Sequence, residues 1–69
     1  MHHLVNIFKA LGEDTRIKII SMLSQREMCV DDLITRLELS QSAVSHHIKV
    51  LKQAGLLNIR RKGKWTFYS

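Results

Sequence analysis

The sequence predicts a mainly α fold of three to four short helices plus a small β-hairpin, in one domain over residues 1–69. Three observations carry that expectation. Apolar residues recur at helical spacing up to Gly55. Beyond Gly55 the period falls to two, through Leu56–Arg60 and again through Trp65–Tyr68. A chain of 69 residues buries only about 60% of its unfolded surface, which limits it to a single thin core.

Leu4, Ile7, Phe8 and Leu11 stand at i, i+3, i+4 and i+7, and Gly12 ends the pattern, which predicts a first helix. Asp14 is positioned to cap a second, whose inner face reads as Ile17, Ile20, Ser21 and Leu23, with Arg16, Lys18 and Arg26 in solvent. Met28–Cys29 is long enough only for a bridge at a sheet edge. A third helix starts near Val30, its inner face Val30, Leu33, Ile34 and Leu37, with Asp31 and Asp32 at the positive end of its dipole.

The stretch Leu39–Gly55 organises the rest. Val44, Ile48 and Leu51 lie on one face of a helix; Gln41, Ser42, Ser45, His46, Lys49 and Lys52 lie on the other, with no acid among them. Ser40 can cap its start and Gly55 can end it in the left-handed conformation. Glu38–Leu39–Ser40 then joins two short helices as a tight turn, and the pair makes a helix-turn-helix. Short polar side chains let such a helix approach a surface closely, and its width fits the major groove of DNA.

In the hairpin, Arg61–Lys62–Gly63–Lys64 reads as the turn. Trp65 and Phe67 share one face, expected to pack on the helices; Thr66 and Tyr68 share the other.

Charge is divided sharply along the chain. The first 38 residues carry five basic and six acidic side chains, and the last 31 carry six basic and no acidic ones. That is the footprint of a polyanion binder. The basic residues do not rim a continuous apolar helix face, which argues against a membrane surface. No apolar run approaches the length of about 20 residues that crosses a bilayer, and a single cysteine points to a reducing, cytoplasmic setting. A thin core with a hairpin has little room for a nucleophile, base and orienting group to converge, so no enzyme is expected. The non-enzymatic alternative to DNA binding is a module for protein–protein assembly whose basic surface meets an acidic partner.

The segments LGEDTRIKIISML, EMCVDDL, LSQSAVSHHIKVLKQAGLL and RRKGKWTFYS, in that order, resemble the ArsR/SmtB family of metalloregulatory repressors. The resemblance runs from about Phe8 to Ser69 and implies a winged helix-turn-helix repressor that binds double-stranded operator DNA as a homodimer. It implies base and backbone contacts for Gln41, Ser42, Ser45 and His46, and wing contacts for Arg60, Arg61, Lys62 and Lys64.

Two departures from the family pattern stand out. Its thiolate site places two cysteines around one valine, where this chain reads Cys29–Val30–Asp31. Soft ions want two or three thiolates, so Cys29 and Asp31 make a poor site for them. Zinc accepts mixed sulfur and oxygen ligands but needs two more from elsewhere, so no metal cofactor is expected while a metal inducer stays open. His46 and His47, adjacent on a helix, diverge by ~100° and cannot easily chelate one ion. The family usually continues past the wing into a final helix that builds the dimer; the chain stops at Ser69, as a short member or one whose helix has been removed. The dimer contact is then expected from Leu4 and Val5, with Phe8 and Leu11 given to the core and His47 at its edge.

Overall fold

The structure is a computed structural model and describes residues 2–69. Four helices, α1 (His2–Leu11), α2 (Asp14–Gln25), α3 (Val30–Leu37) and α4 (Gln41–Gln53), enclose one core. Three short strands, β1 (Met28–Cys29), β2 (Ile59–Lys62) and β3 (Trp65–Tyr68), form an antiparallel sheet in the order β1-β3-β2. Met28 pairs with Tyr68 and Cys29 with Phe67, so β1 is the short edge strand that ties the hairpin to the helices.

The organising helix has the ends its sequence announces. Ser40 Oγ accepts the Ala43 N–H at 3.1 Å. At the other end Gly55 has φ +75°, and its N–H reaches the Lys52 carbonyl while that of Leu56 reaches Leu51. This is a Schellman motif, which satisfies carbonyls that the helix leaves open. The turn between α3 and α4 is the expected three residues, with Glu38 at φ 55° supplying the left-handed step.

Ala10, Ile19, Leu23, Met28, Leu33, Val44, Ile48, Leu51 and Ala54 are the buried apolar residues. Five expectations are corrected here. In α2 the buried residues are Ile19 and Leu23, while Ile17 and Ser21 are exposed; α1 and α4 cover a face turned from the one expected. Its N-cap is Glu13, whose carboxylate accepts the N–H groups of Thr15 and Arg16; Asp14 is already inside the first turn.

Phe8 is 67% exposed, because α1 turns Ala10 and Ile7 toward the core instead. In the hairpin Tyr68 packs on the core, and Trp65 is 48% exposed on the opposite face. The register sets this choice: Tyr68 lies between Met28 and Ile59, the apolar residues of the flanking strands.

Strand β2 also sits further along than expected. Leu56–Asn58 is irregular and packs Leu56 and Leu57 against the core, while Arg61 and Lys62 pair with Thr66 and Trp65. The turn is therefore the two residues Gly63–Lys64, with Gly63 at φ +59° in the first position, where only glycine is at ease.

Candidate nucleic-acid interface

Gln41, Ser42, Ser45, His46 and Lys49 are all exposed on α4, opposite the buried Val44, Ile48 and Leu51. Gln41 and Ser45 line an open cleft of about 290 Å³ whose far wall is the hairpin: Lys64, Trp65 and Thr66. The fold thus brings the front of α4 and the hairpin turn to one concave surface. Lys49 lies beside Ser45 and Lys52 in a second shallow depression below it.

Arg61 and Lys62 are exposed on β2 with no ion pair among the described residues. Arg60 is not free in the same way. Its Nε donates to Glu27 Oε2 at 2.9 Å and a terminal nitrogen to Oε1 at 2.6 Å. Hydrogen bonding from Arg60 holds the Glu27 carboxyl below its ordinary range, and the same bonds push the arginine up.

The orientation of α4 is set at a junction that sequence reading missed. Arg16, expected in solvent, donates from Nε to the Ala10 carbonyl at 2.7 Å and from a terminal nitrogen to Lys9 at 3.2 Å. It therefore caps the last carbonyls of α1, an end where a cation is favoured. His47, 14% exposed at the edge of the core as expected, has Nε2 3.5 Å from Glu13 Oε2 and Nδ1 3.5 Å from Arg16. Burial pushes the Glu13 carboxyl up, but the Thr15 and Arg16 amides and the nearby His47 and Arg16 charges outweigh it and hold it low. Glu13 and Arg16 thus join the ends of α1 and α2 to the back of α4. The one sequence signal for this junction was the glycine stop followed by an acid at a helix start.

Cys29 and Asp31 both border the cleft, but the carboxylate near the thiol belongs to Asp32, with Oδ2 3.4 Å from Sγ. One thiolate with carboxylates is a donor set unsuited to a soft ion. Among the described residues no group of three or more His, Cys, Asp or Glu side chains is placed to hold a metal. No helix among them is long and apolar enough to cross a membrane.

Comparison with known proteins agrees with this arrangement. Residues 13–58 match the family model described as bacterial regulatory protein, arsR family. The chain is 43% identical over 65 residues to the arsenical resistance operon repressor of Escherichia coli, covering 93% of this chain and 56% of that one. It therefore spans little more than half of that repressor. Among solved structures, HlyU of Vibrio cholerae superposes with a TM-score of 0.89 at 40% identity, covering 99% of this chain and 74% of that one. The homodimeric winged helix-turn-helix DNA-binding domain Mb0332 of Mycobacterium bovis gives a TM-score of 0.91 at 28% identity, over 97% of this chain and 62% of that one. The α4 helix with its polar front, the turn before it and the basic hairpin are thus a winged helix-turn-helix, and the chain belongs to the ArsR family of regulatory proteins.

Proposed function

We propose that this chain is the DNA-reading unit of a cytoplasmic transcriptional repressor, with α4 in the major groove and the wing on the phosphate backbone. The observation that carries the reading is the single concave surface shared by Gln41 and Ser45 of α4 and Lys64 of the wing. Ser42, His46 and Lys49 extend it along the exposed side of α4. The repressor of Escherichia coli and the DNA-binding domain of Mycobacterium bovis support it as relatives. A fluorescence titration with mixed-sequence duplex at two salt concentrations tests it: binding with a steep salt dependence is expected. Binding that ignores salt, or no binding, removes it.

Gln41 and Ser45 stand one turn apart, where base edges would lie, so they carry sequence discrimination. A good bidentate base contact contributes about 1–3 kcal/mol. Gln41→Ala should lose roughly that amount on a selected operator, and Ser45→Ala less. Both should lose little on scrambled DNA, and competition titrations with the two duplexes measure the difference.

Such proteins read two half-sites of an inverted repeat as symmetric dimers. The partner surface we assign is the exposed apolar face of α1, where Leu4 is 52% and Val5 43% exposed, together with Phe8. The homodimeric relative supports a dimer. A patch this small gives a weak dimer, since interfaces well below about 1,000 Å² are transient. Sedimentation over a wide concentration range should show a monomer–dimer equilibrium that operator DNA shifts toward dimer. Phe8→Lys should abolish it; a dimer untouched by that change places the interface elsewhere.

A further inference from the structure

We infer that Glu27 and Arg60 form a clasp that fixes the attitude of the wing to the helix-turn-helix, so that Arg60 is a positioning residue and not a phosphate contact. The inference rests on the DNA-binding reading above.

Glu27 immediately precedes β1, at one edge of the sheet, and Arg60 lies on β2, at the other edge. The bidentate bond at 2.9 and 2.6 Å therefore spans the middle strand. It does so over Phe67: Arg60 and Phe67 are cross-strand partners, and the guanidinium carbon is 4.9 Å from the ring centroid. A guanidinium held on both sides of its fork and stacked on a ring has one geometry where a lysine would have many.

The alternative ties between wing and body are few. They are the irregular Leu56–Asn58 segment, the two-residue pairing of β1 with β3, and Tyr68 against the core. None of them restrains β2 on the outer face, where Arg60 and Lys62 point by strand alternation. The clasp does. A carboxylate against the guanidinium also cancels its charge, leaving little net attraction for a phosphate. Because Arg60 holds the Glu27 carboxyl below its ordinary range, the pair stays ionised wherever DNA binding would be assayed.

An exposed ion pair shifts a conformational equilibrium by no more than about fivefold, which bounds the effect on affinity. The test is a charge exchange, read in two ways. Arg60→Glu sets two carboxylates together and should weaken operator binding by up to about that factor. It should also speed hydrogen exchange at the β2 and β3 amides of the free protein. Adding Glu27→Arg to Arg60→Glu restores the native net charge and the clasp with its polarity reversed. It should return affinity to within about twofold of the unaltered chain and recover the amide protection. A phosphate-contacting Arg60 gives the opposite: affinity stays lost in the exchanged protein. Amide exchange that is indifferent to all three sequences also overturns the clasp. If the unaltered chain binds no duplex, the DNA reading fails by itself, while the exchange measurements still decide whether the clasp holds the wing.

Discussion

Leu51→Ala should unfold a large share of the molecules at 37 °C. Leu51 is fully buried on the back of α4, one of only nine buried apolar residues among those described. Truncating such a leucine costs about 2–5 kcal/mol, from lost burial and the cavity left behind. A chain of 69 residues has a total stability of about 3–10 kcal/mol, so the loss is a major fraction of the whole. Urea unfolding followed by helical circular dichroism measures it as a fall in midpoint. Phe8→Ala is the control. The side chain is larger, but its exposure in the single chain should keep the change within about 0.5 kcal/mol. Equal losses for the two would mean that α1 packs differently from the arrangement described.

The second large effect lies in the wing. Arg61, Lys62 and Lys64 carry their charges without an ion-pair partner among the described residues, at and beside the Gly63–Lys64 turn. If each neutralises one phosphate, changing all three to alanine should flatten the slope of log affinity against log salt by about 2.7. The loss should be the same on operator and scrambled duplex, because phosphate contacts carry no sequence information. Titrations at four or more salt concentrations give the slope. An unchanged slope would show that the wing cations do not meet the backbone. Because the three side chains are exposed and none is in the core, the triple variant should keep its folded circular dichroism.

The two variants divide the molecule as its sequence does, and they show what was legible there. The α4 helix could be read entire: its caps, its period and its polar front are local properties, and Ser40, Val44, Ile48, Leu51 and Gly55 all take the expected places. The turn at Glu38 was equally local. What failed was the choice of face in α1, α2 and the hairpin, whereas in α3 Leu33 is buried with Val30, Ile34 and Leu37 packed beside it, as expected. Helix α2 carries Ile17, Ile19 and Ile20, so apolar side chains point several ways, and only the position of α1 and α4 selects Ile19. Strand β3 alternates Trp65 and Phe67 with Thr66 and Tyr68; alternation separates the faces but does not say which one the core takes. Position along the chain misled at Phe8: nearness to α2 pointed it to the core, but the face of α1 that carries Ala10 is the buried one. The ion pair of Glu27 with Arg60, 33 positions apart, had no signal in a single sequence, and the approach of Arg16 to His47, 31 apart, had only the glycine stop and the acid after it. The exposed front of α4 was therefore readable, and the side-chain contacts behind it were not.

The short β1 strand has a consequence for the order in which the chain folds. Its partner on β3 is distant: Met28 meets Tyr68. Closing a loop of about 40 residues costs about 3 kcal/mol of chain entropy, against the return from a pairing only two residues long. The helices also close long loops, α1 and α2 on α4, but they gain a shared buried core in return, and the β2–β3 hairpin closes through a two-residue turn. Helices and hairpin can thus form as separate units, with the seam at Met28–Cys29 closing last in folding and opening first in local unfolding. A molecule in that opened state keeps its reading helix and loses only its grip on the wing.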